Sequence, residues 1–100
     1  MLLRIQQPLN GSEVDLTPGL TIGRDGCAVL LPDPEVSRCH AVVQRSKAGM
    51  ALADLGSLNG TWINHRRIEG VTELHEGDTV RFGNTICSVQ AAAAAPRLRG

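Results

Sequence analysis

Ser37, Arg38, Cys39 and His40 put a hydroxyl, a guanidinium, a thiol and an imidazole on four consecutive positions. They follow Leu30-Leu31-Pro32-Asp33-Pro34-Glu35-Val36, which reads as a short strand broken by two prolines, and lead straight into Ala41-Val42-Val43. The four groups therefore sit at the mouth of a loop, where the next strand can hold them still. A hydroxyl beside a guanidinium suits an oxyanion, because both donate hydrogen bonds and one carries fixed charge. Two more loops carry polar residues that strand packing does not require, Gly23-Arg24 and Ser57-Leu58-Asn59-Gly60. If the three converge, Arg24 and Arg38 supply two cationic forks, Ser37 a hydroxyl, and Asn59 an amide able to pair with a ligand main chain. That set matches a phosphate group, with about −1.5 to −2 charges and three accepting oxygens. Charge-assisted bonds from two arginines would dominate its affinity.

Other reactive pairs lead nowhere comparable. Cys39-His40 has the types of a nucleophile and a base, but neighbours on a strand point to opposite faces, so the imidazole cannot activate that thiol. No oxyanion-hole or acyl-binding motif accompanies it, and no enzyme is expected. His40 reads instead as a buried, hydrogen-bonded support. Cys27, Cys39, His40 and His65 lack zinc-ligand spacing, so no metal and no cofactor are expected. Three cysteines without a Cys-x-x-Cys pair indicate no disulfide framework and fit a reduced, cytoplasmic setting. Trp62 reads as core packing, and Arg66-Arg67 as a solvated hairpin edge.

The elements that must position these groups are short strands between turn signals. Strands are expected over 2–6, 13–16, 20–22, 29–31, 39–45, 50–55, 61–63, 67–68, 79–82 and 85–89. Pro18-Gly19, Lys47-Ala48-Gly49, Asn64-His65 and Gly83-Asn84 punctuate them. No useful helical periodicity precedes residue 90. The pattern predicts an all-β sandwich of two antiparallel sheets, about eleven short strands, with ligand loops gathered at one end.

One hundred residues suffice for one core. Ten basic and ten acidic side chains give zero net charge, which argues against nucleic-acid or membrane-surface binding. Neither a signal-peptide h-region nor a membrane-length apolar run is present. Residues 1–90 read as the domain and 91–100, alanine-rich, as a linker within a larger multidomain protein.

Taken in order, Ile22-Gly23-Arg24, Val36-Ser37-Arg38-Cys39-His40-Ala41, Asp54-Leu55-Gly56-Ser57-Leu58-Asn59-Gly60-Thr61, Ile63-Asn64 and Leu74-His75-Glu76-Gly77-Asp78-Thr79-Val80 with Phe82-Gly83 resemble the forkhead-associated (FHA) domain. The resemblance spans residues 2–90. It implies an eleven-stranded sandwich that binds Thr-phosphorylated protein or peptide downstream of a Ser/Thr kinase. It implies that Arg24, Ser37 and Arg38 hold the phosphate and that Asn59 fixes the ligand backbone, with Gly23, His40 and Gly60 as loop supports. The family often has Thr just before the Asn-Gly pair, its hydroxyl facing phosphate; here that position is Leu58. A donor is lost unless the Leu58 N–H or Ser57 replaces it, predicting affinity weaker by about 0.5–1.5 kcal/mol. Leu58 also supports an alternative, a phosphate-independent scaffold or assembly module on the same sandwich. Glu35 is expected to line the groove after the phosphothreonine and disfavour acidic side chains there. The segment after Gln90 has no Ser or Thr, so a self-bound phosphothreonine would have to come from other sequence.

Overall fold

Alternating burial builds two facing sheets. The computed structural model describes residues 1–7, 12–47 and 49–91. The strands are β1 (Leu2–Gln7), β2 (Ser12–Asp15), β3 (Thr21–Gly23), β4 (Val29–Leu30), β5 (Ala41–Ser46), β6 (Gly49–Asp54), β7 (Thr61–Ile63), β8 (Arg66–Arg67), β9 (Val71–Glu73), β10 (Thr79–Phe82) and β11 (Thr85–Gln90). One sheet runs β2-β1-β11-β10-β7-β8 and the other β4-β3-β5-β6-β9. Along β11, Thr85, Cys87 and Val89 face inward while Ile86, Ser88 and Gln90 face out, the period of two that a half-buried strand requires. Leu3, Ile5, Val80, Phe82 and Val89 from the first sheet meet Ile22, Val43 and Leu52 from the second. Each such side chain contributes about 1.5–3 kcal/mol by burial. Among the described residues, no helix is long and apolar enough to cross a membrane.

Pairing among the described residues is antiparallel except for β3 with β4, where Ile22 lies opposite Val29 and Gly23 opposite Leu30 in parallel. Only residues 24–28 separate these strands, so the chain doubles back at once. It is pinned where the Ala28 N–H donates to Thr21 Oγ1 at 2.9 Å. β5 begins at Ala41, not Cys39, leaving Cys39 in an exposed bend.

β9 is absent from the sequence-based expectation because nothing in its pattern announces it. Val71 is 57% exposed, and the strand forms by main-chain pairing of residues 71–73 with Ala51–Ala53 of β6. Trp62 is a correction of another kind. It lies on the outer face of its sheet, half-buried, with the Arg81 guanidinium 5.0 Å from the ring centroid. Asn64 and His65 make the expected turn with φ of 50° and 69°. The expected turn at 8–11, Ala48 and the alanine-rich segment 92–100 lie outside the described residues.

The topology brings four connections to one end of the sandwich: residues 24–28, 31–40, 55–60 and the β10–β11 turn at Gly83-Asn84.

Candidate functional site

Asp33 fastens the longest of these connections. Its flanking prolines offer no N–H, and its buried carboxylate, 4% exposed, takes one partner from its own loop and two from the β10–β11 hairpin. Oδ1 accepts the Glu35 N–H at 2.9 Å. Oδ2 accepts the Asn84 N–H and the Thr85 hydroxyl, both at 2.8 Å. Burial would raise this carboxyl's pKa, but the Glu35, Thr85 and Asn84 donors outweigh it and hold the group below its ordinary value. The loop is thereby tied to the opposite sheet.

Gly23 sets the next contact. A Cβ there would overlap the Arg38 carbonyl oxygen, so only glycine lets the 31–40 loop lie against β3. With the backbones that close, the Arg24 N–H donates to Ser37 O at 3.0 Å and the His40 N–H to Ile22 O at 3.0 Å. The Arg24 Nε donates to Val36 O at 2.9 Å. That bond orients the guanidinium while its two terminal amines keep their donors free of protein acceptors among the described residues. Arg38 is exposed, and its side chain likewise has no protein partner among them.

His40 is fully buried and joins two loops. Nδ1 accepts the Ser37 N–H at 3.1 Å, which puts the proton on Nε2, and Nε2 donates to Gly60 O at 2.9 Å. The ring packs edge-on to Phe82 with centroids 5.6 Å apart. Both nitrogens are committed, so His40 has no free lone pair for base chemistry. Asp54 shapes the other loop: Oδ2 accepts the N–H groups of Gly56 and Ser57 at 3.0 Å, and Oδ1 accepts the Ser57 and Thr61 hydroxyls. Here too burial raises the pKa, and the Ser57 and Thr61 donors reverse it to a net lowering. Gly60, at φ +84°, completes the turn with the Arg67 side chain laid against it.

The tip of this loop meets the first. The Leu58 N–H donates to Ser37 Oγ at 3.0 Å, leaving the serine proton free to donate outward. Asn59 Nδ2 donates to Glu35 O at 2.8 Å and to Glu35 Oε1 at 3.2 Å, while the Asn59 carbonyl accepts the Trp62 indole N–H at 3.2 Å. A continuous hydrogen-bonded chain thus runs from Arg24 through residues 36–37 to Leu58-Asn59 and back to Glu35.

Arg24, Ser37, Arg38 and Asn59 therefore share one rim. Ser57 does not join it. It is 7% exposed, its hydroxyl donates to Asp54 and accepts the Gly60 N–H, and so it has no proton to replace a missing donor. The Leu58 side chain is 84% exposed and its N–H is already spent on Ser37. Asp33 and Asp54 were not assigned roles from sequence, although their signals were present. Pro-Asp-Pro removes the N–H groups on both sides of the aspartate and leaves the Glu35 N–H as its local donor, and Asp-x-Gly-Ser is a side-chain-to-backbone turn pattern. The Glu35–Asn59 contact had no such signal, since it spans two loops.

The sequence model of the FHA domain matches residues 20–83. The chain belongs to the FHA domain family. The FHA domain-containing protein PS1 of Arabidopsis thaliana is 38% identical over 86 residues, a match covering 76% of this chain and 6% of that protein. Human Kanadaptin is 41% identical over 73 residues, covering 60% of this chain and 10% of that protein. This FHA domain thus spans a small fraction of the curated relatives it matches. Among solved structures, one from a structural and functional analysis of phosphothreonine-dependent FHA domain interactions superposes with a TM-score of 0.81. It has 31% identity and covers 91% of this chain and 95% of its own. Mycobacterium tuberculosis EmbR, solved in complex with a low-affinity phosphopeptide, gives 0.80 at 27% identity, covering 96% of this chain and 25% of its own. FHA domains are interaction modules, and the eleven strands in two sheets here match that fold.

Proposed function

We propose that this FHA domain is a non-enzymatic reader of phosphothreonine on a partner protein, acting downstream of a Ser/Thr kinase. The observation that carries this reading is Arg24: its guanidinium is oriented by one bond to Val36 O, and its terminal amines have no protein acceptor among the described residues, beside the loop of Ser37. Phosphorylation creates the charge that Arg24 and Arg38 pair with, and Ser37 Oγ, fixed by the Leu58 N–H, donates its proton to a phosphate oxygen. Asn59 Oδ1 is left to accept a ligand N–H. Residues 1–90 form the binding unit, and three cysteines without a disulfide framework support a reduced, cytoplasmic setting for it. Preference for threonine over serine needs more than burial of one methyl, worth about 0.8 kcal/mol; the methyl must also fix the peptide conformation.

The test is a titration with matched phosphothreonine, phosphoserine and unmodified peptides, repeated on Arg24→Ala. The reading expects phosphothreonine to bind best and the variant to lose that binding. Equal binding of all three, or no loss in the variant, overturns it. Added salt weakens binding only partly, because close pairs are screened less than exposed ones. A second reading, a phosphate-independent assembly module, draws on the exposed Leu58 side chain at the centre of the rim. It predicts that the unmodified peptide's protein binds as well as the phosphorylated form.

A further inference from the structure

Cys27 and Cys39 stand on the two loops that carry Arg24 and Arg38. The Cys27 thiol donates to Arg38 O at 3.1 Å, with Asp25 O at 3.4 Å. That Arg38 carbonyl belongs to the peptide unit leading into Cys39, so the Cys27 sulfur lies one peptide unit from the Cys39 Cα. The loops are fastened at backbone level by Arg24 N–H to Ser37 O at 3.0 Å and Asp25 N–H to Arg38 O at 3.4 Å. The Cys27 sulfur is also wedged over Gly23, where a Cβ would approach it to 2.8 Å. Cys39 is exposed, Cys27 half-buried, and both are free thiols. They are close enough to feel each other: burial first, then the neighbouring Cys39, pushes the Cys27 thiol up. Cys87 stands apart, buried in the core, its thiol pushed up to about 12.

We propose that Cys27 and Cys39 form a reversible disulfide across the mouth of the ligand rim when a peroxide reaches the exposed Cys39. The Cys39 thiolate attacks one peroxide oxygen; the S–O bond forms, the O–O bond breaks, and the departing hydroxide takes a proton to leave as water. Cys27, deprotonated, then attacks the Cys39 sulfur; the S–S bond forms, the S–O bond breaks, and a second water leaves. Two thiols lose two electrons to one peroxide, and two waters result. Exposure makes Cys39 the first to react, and Cys27, half-buried and held against the Arg38–Cys39 peptide, is the resolving partner. Such bonds in reduced compartments are transient and redox-sensing, which fits an exposed and a half-buried thiol on neighbouring loops.

The bond has a mechanical consequence. It removes the Cys27 donor from Arg38 O and draws Cys39 inward, turning the Arg38–Cys39 peptide and withdrawing Arg38 from the rim. This consequence, unlike the bond itself, rests on the phosphopeptide reading. It predicts that oxidation weakens phosphothreonine-peptide binding about 10-fold, the lower end of what losing one hydrogen bond to a charged group removes.

The experiment treats the reduced domain with hydrogen peroxide, alkylates remaining thiols, and maps peptides by mass spectrometry before and after a dithiol reductant. The expected result is a Cys27–Cys39 linked peptide lacking two hydrogens, regenerated by the reductant, with Cys87 alkylated only on unfolding. In Cys27→Ser, Cys39 is trapped as sulfenic or sulfinic acid instead. Overoxidised Cys39, or a Cys39 cross-link between two molecules, with Cys27 still alkylated in the native sequence, overturns the proposal. Peptide binding is measured on the same samples. A linked peptide with unchanged phosphopeptide affinity overturns the switch. A linked peptide in a domain that binds no phosphopeptide even when reduced overturns the reader function and leaves the disulfide standing.

Discussion

His40 and Gly60 are joined by a buried hydrogen bond of 2.9 Å from the imidazole Nε2 to the glycine carbonyl, while the far nitrogen of the same ring takes the Ser37 N–H. One side chain thus holds two loops in register. His40→Ala would empty a fully buried ring site beside Phe82 and orphan both backbone groups. Cavity and desolvation costs together put the loss at about 3 kcal/mol, readable in urea denaturation. A variant as stable as the parent would show that the loops do not depend on this bridge.

Acid should loosen the same end of the sandwich. Asp33 and Asp54 both have folded-state pKa values below their ordinary 3.8. The unfolded chain therefore binds more protons as pH falls, so their stabilisation is complete above about that value and is lost as pH drops through the lower folded values. Denaturation midpoints measured from pH 5 down to pH 2, to span this window, should fall, and Asp33→Asn should flatten the dependence while lowering stability at neutral pH. An unchanged slope in that variant would remove Asp33 from the account.

That Arg24, Ser37, Arg38 and Asn59 would share one rim was legible because they are polar residues at loop positions that no strand needs. What they lean on was less legible. Ser57 was a possible substitute for the missing donor, and the path of the 55–60 loop turns its hydroxyl onto Asp54. Trp62, the only tryptophan in a chain poor in aromatics, was expected in the core, yet strand alternation between buried Thr61 and Ile63 turns it to the outer face. β9 is held by its neighbour's main chain and carries no hydrophobic signature. The Cys27–Cys39 approach depends on the doubling-back of residues 24–28, which no Cys spacing encodes.

Gly23 tests the closeness of the loops directly. Its backbone is not left-handed, so Gly23→Ala is opposed by contact alone, the new Cβ meeting Arg38 O. Forcing that contact costs about 1–3 kcal/mol by analogy with overpacked cores and should also displace Ser37 and Arg38. Thermal denaturation and phosphopeptide titration should fall together; a variant that loses neither would mean the loop yields at no cost.

Arg24→Lys separates charge from geometry. Lysine keeps the cation but cannot at once bond Val36 O and present two aligned donors. On the proposed reading, phosphothreonine-peptide affinity drops about 10-fold or more, the range of a hydrogen bond to a charged group. Full binding by the lysine variant would show that positive charge alone suffices.

Leu58→Thr addresses the rim's missing hydroxyl. The leucine side chain is 84% exposed, so replacing it should change stability by less than about 0.5 kcal/mol. Its N–H is already given to Ser37 Oγ and the Ser57 hydroxyl is turned to Asp54, so no existing group fills the gap. A threonine hydroxyl at this position adds one donor to the phosphate, worth about 0.5–1.5 kcal/mol, or roughly 2- to 10-fold in affinity. Leu58→Ala supplies the control, because it removes the same apolar surface without adding a donor. The expected result in calorimetric titration is tighter phosphothreonine binding by the threonine variant and parent-like binding by the alanine variant. Equal gains in both would assign the effect to loss of leucine and leave the phosphate site already complete.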